Sequence, residues 1–154
     1  MLTIIEDTAQ KKGEHEIKHS HFEQMGVHII RNKLPYGDYI LSPSISVDTK
    51  RNMEEIANNI SKDHVRFKNE CIKAREAGCK LIILIENTYG IKSIDDVHTW
   101  INPDLVYRPK AITGQRLEKA MKTMTERYGV EFKFCTPEDS AKMIIKLLGG
   151  DING

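Results

Sequence analysis

The apolar run from Leu81 to Ile85 constrains the fold of this chain more than any other feature of its sequence. All of its residues are branched and aliphatic, and the run is far too short to cross a bilayer. Continuous runs of this kind are typical of strands buried on both faces, which occur mainly in parallel sheets covered by helices. We therefore predict a central, fully buried parallel strand over residues 80–85.

Strand and helix patterns alternate on both sides of this run. The clearest helix begins at the cap residue Asn52 and ends before Gly78, because apolar residues recur there at three- and four-residue spacing. This stripe includes His64, which we expect in the core or on a site wall. The order of elements predicts an α/β domain with a mixed central sheet flanked by helices. Further strands are predicted at 2–5, 27–30, 39–41, 45–47 and 130–134, and further helices at 14–25, 93–101, 114–128 and 137–148.

Composition and charge restrict the compartment and the partners. The chain has 154 residues and a formal net charge of +1, so no overall field indicates a nucleic-acid or membrane partner. Its three cysteines form no CxxC pair, which favours reduced thiols over a disulfide framework or a zinc site. We expect a cytoplasmic protein without a membrane partner, built as one domain over residues 1–148 with a flexible tail at 149–154.

Two aspartates and a lysine interrupt a stretch that is otherwise typical of strands. Asp48 and Lys50 are two residues apart, so on one strand their side chains leave the same face. A carboxylate can bind a hard divalent cation, and a neighbouring lysine can orient the water that attacks a substrate. Asp38, on the preceding strand, and Asp7, at the end of the first strand, could supply further oxygen ligands. Three close carboxylates repel one another, so at least one should have a raised pKa.

The alternative interpretation of these residues is structural. Asp38 follows Gly37 and suits a turn. Asp48 and Lys50 could be a solvent-exposed ion pair worth less than ~1 kcal/mol. The spacing of an Asp and a Lys alone occurs often by chance and does not decide between the two interpretations.

The same residues resemble the nuclease signature of the XPF-type structure-specific endonucleases. That signature reads GD, a gap, ERK, three residues and D, and here it reads Gly37-Asp38, Asp48-Thr49-Lys50 and Glu54. Residues 4–8 and 84–86 are also similar to strands of the family, and Arg66 with Glu70 is similar to an Arg and a Gln at the same spacing. The family belongs to the PD-(D/E)xK superfamily, so the resemblance implies a restriction-endonuclease-like three-layer domain.

The resemblance also implies an activity and a set of site residues. It implies a DNA endonuclease that depends on Mg²⁺, with Mn²⁺ as a substitute, and that acts on branched or flapped DNA in repair or recombination. Asp7, Asp38 and Asp48 would bind the metal, and Lys50 would complete the catalytic set with Asp38 and Asp48. Further implied roles are a site position for Glu54, phosphate contacts for Arg66, Lys11 and Lys12, and a homodimer or a DNA-binding partner protein.

Several positions depart from the family pattern. Asp48 stands where Glu is usual, Thr49 replaces the Arg of ERK, and Ala9-Gln10 replace an opening Arg-Glu. Glu54 replaces the final Asp, and an acidic residue there also suits the first turn of a helix. Two other functions therefore stay open: a catalytically inactive DNA-binding module, and a sequence-specific endonuclease of the restriction type.

Overall fold

The computed structural model of the chain describes residues 3–8, 16–34, 37–42 and 45–149. Residues 150–154 of the tail predicted at 149–154 lie outside these ranges. Within them the strands are β1 (Thr3–Asp7), β2 (His28–Asn32), β3 (Tyr39–Ser42), β4 (Ile45–Lys50), β5 (Lys80–Glu86) and β6 (Glu131–Cys135). The α-helices are α1 (Glu16–Gln24), α2 (Met53–Ser61), α3 (His64–Glu76), α4 (Gly114–Tyr128) and α5 (Ser140–Leu147), and short 3-10 helices span Ile94–Thr99, Pro103–Val106 and Pro137–Asp139.

The strands form one mixed sheet in the order β2-β1-β3-β4-β5-β6. Strand β3 is antiparallel to both of its neighbours, β1 and β4, whereas β1 pairs with β2 in parallel and β5 pairs in parallel with β4 and β6. Residues 81–86 of β5 are all buried, as the apolar run predicts. Because β1 and β4 run in the same direction, their carboxyl ends lie at the same edge of the sheet.

Two hydrophobic cores cover the two faces of the sheet. On one face, Leu81, Ile83 and Ile85 pack against apolar residues of α2, α3 and α4. On the other face, Ile82 and Leu84 pack against apolar residues of α1 and α5. This alternation along β5 confirms the predicted three-layer arrangement, with helices on both sides of a mixed sheet.

The single helix predicted from Asn52 to Gly78 is wrong, because the segment forms two helices. The predicted cap is correct: Oδ1 of Asn52 accepts a hydrogen bond from the amide of Glu55 at 2.9 Å. The helix then ends at Ser61, and the amides of Lys62 and Asp63 both donate to the carbonyl of one preceding residue, Asn58. Helix α3 begins at His64, the residue after Asp63.

The sequence pattern hides this break for a geometric reason. Ile60 and Phe67 are seven residues apart, which is close to two helical turns, so the apolar stripe continues in phase across the break. His64 falls within the stripe, but it is the first residue of α3 and its side chain is exposed. The expected core or wall position of His64 is therefore wrong.

The remaining helix ends follow their glycine signals. Gly129 ends α4 with φ of +69°, the left-handed conformation that glycine adopts at helix ends. The helix predicted at 93–101 is a 3-10 helix over Ile94–Thr99. Within the described residues, no helix is both long and apolar enough to cross a membrane.

The packing of α4 against the 3-10 helix Ile94–Thr99 generates a stability prediction. A Cβ at Gly114 would lie 2.4 Å from the carbonyl oxygen of Trp100 and 2.7 Å from that of Val97. We expect Gly114→Ala to destabilise the protein by about 1–3 kcal/mol through overpacking, although alanine is the better helix former. Urea unfolding measures this change.

Gln115→Ala is the matched control, since Gln115 is exposed on the same helical turn. Its effect should stay within about 0.5 kcal/mol. A Gly114→Ala variant as stable as the wild type would contradict the close packing of α4.

Candidate functional site

A cleft of about 760 Å³ opens where the carboxyl ends of β1 and β4 meet α3. Four acidic residues line its inner part: Asp7 on β1, Asp38 just before β3, Asp48 on β4 and Glu70 on α3. The largely buried Lys50, also on β4, lies among them. Exposed basic residues lie at its rim: Lys62, Arg66 and Lys73. The structure thus brings together all four residues that the sequence places in the core of the site.

Backbone pairing around β3 explains why residues far apart in sequence meet here. The amide of Asp7 donates to the carbonyl of Asp38 at 2.6 Å, just beyond the paired residues Glu6 and Tyr39. The amide of Asp38 donates to the carbonyl of Val47 at 2.8 Å. Asp38 is therefore held between β1 and β4. On one side it is bonded to Asp7, and on the other side to Val47, the residue before Asp48.

The side chains of Asp38 and Asp7 are each anchored by hydrogen bonds from neighbouring residues. Oδ2 of Asp38 accepts hydrogen bonds from the amide of Thr49 at 2.5 Å and from its hydroxyl at 2.9 Å. Oδ1 of Asp7 accepts a hydrogen bond from the amide of Leu34 at 3.0 Å. Thr49, the residue that replaces the Arg of the ERK pattern, thus fixes the orientation of Asp38.

Asp48 and Lys50 form a largely buried ion pair on the cleft wall. Nζ of Lys50 lies 3.0 Å from Oδ2 of Asp48, and it also lies 5.4 Å from the ring centroid of Phe67. The ion pair with Lys50 is thus the contact of Oδ2 of Asp48, which accepts no hydrogen bond of standard geometry from the described residues. Burial acts to lower the pKa of Lys50, but the attraction of Asp48 outweighs it and the pKa is raised. Lys50 is therefore a cation at neutral pH.

Glu70 is a member of this cleft that the sequence analysis did not place in the acidic set. Its Oε1 accepts a hydrogen bond from the amide of Gly37 at 2.9 Å. Burial and, next, the negative charge of Asp48 raise the pKa of Glu70 to about 6. The sequence analysis expected a raised pKa at one of the three aspartates, whereas this raised pKa belongs to a glutamate outside that set. The similarity of Arg66 and Glu70 to an Arg and Gln pair was the available sequence signal.

The donor chemistry of the cleft fits a hard divalent cation, although the side chains do not form a closed cage. Among the residues that the structure describes, no three acidic, histidine or cysteine side chains are arranged to hold a metal ion together. Mg²⁺ commonly takes only one or two carboxylates and keeps several waters. Oδ2 of Asp48, which is buried beside other carboxylates and accepts no hydrogen bond of standard geometry from the described residues, is the feature that such a cation would satisfy.

The other predicted site residues lie at the edge of the cleft or away from it. Arg66 is exposed at the rim, where it forms a 3.7 Å ion pair with Asp63. Glu54 does not line the cleft, and its Oε1 accepts a hydrogen bond from the hydroxyl of Tyr89 at 3.1 Å. Its expected position near the carboxylates is not observed. Lys11 and Lys12 lie outside the described residues.

The opposite face of the sheet carries a second, separate set of charges. Glu6 is 1% exposed and contacts three donors: the hydroxyl of Tyr39 at 2.9 Å, Nε2 of His19 at 2.5 Å and Nε of Arg31 at 3.1 Å. Glu86 pairs with Lys18 at 2.6 Å and accepts a hydrogen bond from Ser140. These carboxylates are saturated by donors and face away from the cleft.

Comparison with known proteins matches nearly the whole chain to one family. The ERCC4 domain model matches residues 7–147. XPF from Aeropyrum pernix shares 21% identity and a TM-score of 0.69, covering 95% of this chain and 63% of that one. XPF from Aeropyrum pernix in complex with DNA shares 21% identity and a TM-score of 0.70, covering 97% of this chain and 64% of that one. The chain thus spans less than two thirds of these structures, and the likeness establishes the fold. No curated protein gives a significant match.

The raised pKa of Glu70 predicts how stability depends on pH in metal-free buffer. The folded pKa of about 6 lies above the ordinary value of 4.5, so ionised Glu70 is penalised in the folded state. That penalty is absent at pH values below the ordinary pKa of 4.5 and is complete at pH values above the folded-state pKa of about 6. Glu70→Gln should therefore be more stable than the wild type above about pH 6 by at most about 2 kcal/mol.

Urea unfolding on either side of this pH interval measures the difference. The two proteins should converge in stability below the ordinary pKa of a glutamate. An advantage of Glu70→Gln that is the same at low and high pH would contradict the electrostatic origin of the effect.

Proposed function

Because the chain belongs to the ERCC4 domain family, we propose that it is a metal-dependent DNA endonuclease that hydrolyses phosphodiester bonds in branched or flapped DNA. The observation that carries this proposal is the cleft in which Asp7, Asp38, Asp48 and Lys50 converge. A protonated lysine paired with the buried carboxylate of Asp48, beside further carboxylates, is a suitable arrangement for hydrolysing a phosphate ester.

In this proposal Lys50 acts as a fixed positive charge. Its pKa is raised, so at neutral pH its ammonium group can donate hydrogen bonds but cannot accept a proton. It would orient the attacking water and stabilise negative charge that develops on the scissile phosphate. The contacts with Asp48 and Phe67 restrict the ammonium to the cleft wall, which reduces the reorganisation needed for this task.

The carboxylates would hold the cation. Asp38 and Asp48 would bind Mg²⁺, with Asp7 assisting, and each has a neighbouring donor or cation that fixes its orientation. When bound, a divalent cation lowers the pKa of water and stabilises charge on phosphate oxygens.

The exposed basic residues at the rim suit the flanking phosphates of a DNA substrate. Arg66, Lys62 and Lys73 lie along α3 and the turn before it. Phosphate contacts position a nucleic acid but do not read its sequence, which favours recognition of DNA shape. One solved relative, XPF from Aeropyrum pernix, is titled as a complex with DNA. A homodimer or a DNA-binding partner protein, implied by the family resemblance, would add contacts beyond this cleft.

A cleavage panel tests the proposal most directly. Single-stranded, duplex, flapped and four-way DNA are incubated with the protein and Mg²⁺, and the products are resolved by gel electrophoresis. Preferential cleavage of branched or flapped DNA is expected. Binding without cleavage of any substrate would indicate a catalytically inactive DNA-binding module, and a fixed fragment pattern on long duplex DNA would indicate a restriction-type enzyme.

The role of Lys50 gives a first mutational prediction. Lys50→Ala should abolish cleavage while it keeps most of the DNA affinity, because the loss of one charge lowers the salt dependence of binding by about one phosphate contact at most. Cleavage rates and DNA binding at several salt concentrations measure the two effects, with thermal unfolding as a check of folding.

Lys133→Ala is the matched control for the loss of one positive charge. Lys133 is exposed on β6 and does not line the cleft. Its cleavage rate should equal that of the wild type. Wild-type turnover by Lys50→Ala would rule out the proposed role of this lysine.

The identity of the cation gives a second prediction. Mg²⁺ or Mn²⁺ should support cleavage, whereas Ca²⁺ should support DNA binding with little cleavage, because its larger and more flexible oxygen shell fixes geometry poorly. The measurement is cleavage and binding of one substrate with each ion after removal of bound metal by chelation. Full activity in excess chelator would contradict metal dependence.

A further inference from the structure

On the basis of this proposed function, we infer that Glu70 is a positioning residue of the cleft. Its side chain, carried by α3, holds the Gly37–Asp38 segment against the helical layer and so helps to fix the position of Asp38 in the cleft. The hydrogen bond from the amide of Gly37 to Oε1 of Glu70, at 2.9 Å, joins residues 33 positions apart in the sequence. Glu70 thus acts on the cleft through the backbone next to Asp38.

The position of Gly37 leaves little freedom for its backbone. Gly37 is buried and has φ of +72°, a conformation that favours glycine. An added Cβ would lie 2.0 Å from Oγ of Ser46, on β4. The segment is therefore closely packed against β4 on one side and bound by a helix carboxylate on another.

The contacts of Asp38 itself come from the strands. Its amide and carbonyl pair with Val47 and Asp7, and its carboxylate accepts two hydrogen bonds from Thr49. Glu70 adds a contact from the helical layer to the residue immediately before Asp38. Loss of that contact leaves a buried amide without its acceptor, and a shift of the segment toward another acceptor would relieve it. Such a shift would change the position of Asp38 relative to Asp48.

The inferred role depends on an acceptor atom rather than on a full negative charge. A neutral amide donates to a single carboxylate oxygen, and the side-chain carbonyl of a glutamine would present an equivalent oxygen at the same length. A methionine has a similar length and flexibility but lacks a comparable acceptor. Glu70→Gln and Glu70→Met therefore separate positioning from simple occupation of space and from charge.

The experiment compares these two variants with the wild type by two measurements. Isothermal titration calorimetry with Mn²⁺ measures cation affinity without DNA, and NMR hydrogen exchange measures protection of the Gly37 amide. Glu70→Met should lower Mn²⁺ affinity by about 10- to 100-fold, the usual effect of losing a residue that orients a metal ligand. It should also accelerate exchange at Gly37. Glu70→Gln should keep the protection of Gly37 and lose well under about tenfold in affinity.

Glu76→Met is the matched control, since Glu76 lies on the same helix, is exposed and does not line the cleft. It should match the wild type in both measurements. Thermal unfolding reports whether each variant folds, and if Glu70→Met does not fold, Glu70→Ala replaces it as the variant without an acceptor.

Three results would overturn the inference. Equal loss of affinity in Glu70→Gln and Glu70→Met would show that charge, not the acceptor, is what matters. Unchanged affinity in the variant without an acceptor would show that the contact does not position the site. Unchanged protection of Gly37 in that variant would show that Glu70 does not hold the segment.

A wild-type chain that binds no Mn²⁺ would count against the proposed function instead, and the exchange measurement would then decide by itself whether Glu70 holds the segment.

Discussion

The hydrogen bond from the amide of Asp7 to the carbonyl of Asp38 is the contact on which the arrangement of the cleft depends. It extends the antiparallel pairing of β1 and β3 to the edge of the sheet. Since β3 is also antiparallel to β4, β1 and β4 end at the same edge. Without β3 between them, Asp7 and Asp48 would not share one cleft.

Alternation along the strands gives neighbouring carboxylates opposite environments. Glu6 and Asp7 are adjacent in sequence, but Glu6 points into the core between the sheet and α1, where three donors surround it. Asp7 lines the cleft, as does Asp48, whose buried Oδ2 is paired with the Lys50 ammonium but accepts no hydrogen bond of standard geometry from the described residues. A buried carboxylate saturated by donors stabilises the packing around it, whereas an undersatisfied one has capacity to bind a ligand. The difference marks one face of the sheet as structural and the other as available for chemistry.

Much of the fold could be predicted from the sequence, because its signals are local. The apolar run of β5, the cap at Asn52 and the glycine after α4 each act over a few residues. The same-face placement of Asp48 and Lys50 follows from the two-residue period of a strand. The break between α2 and α3 was missed because the apolar stripe stays in phase across it, so periodicity carries no sign of the interruption.

The positions that sequence reasoning missed in the site depend on contacts between distant residues. Glu70 enters the cleft because α3 packs over the sheet, and its partner Gly37 is far away in the chain. Glu54 occupies the position of the last acidic residue of the family pattern, yet it contacts Tyr89 instead of the cleft. Neither outcome follows from spacing, because both depend on how the α2–α3 pair is oriented on the sheet.

The electrostatics of the cleft oppose the ionisation of the additional carboxylate, Glu70. Burial and the charge of Asp48 disfavour ionised Glu70, and among the described residues that line the cleft Lys50 is the one lysine that is largely buried. The folded chain therefore carries an unfavourable charge density that a bound cation would relieve. Because a ligand that binds only the folded state stabilises it, cation binding and the integrity of this edge of the sheet should be thermodynamically coupled. Folding energy provided by the two cores thus maintains a site whose own charges oppose its formation.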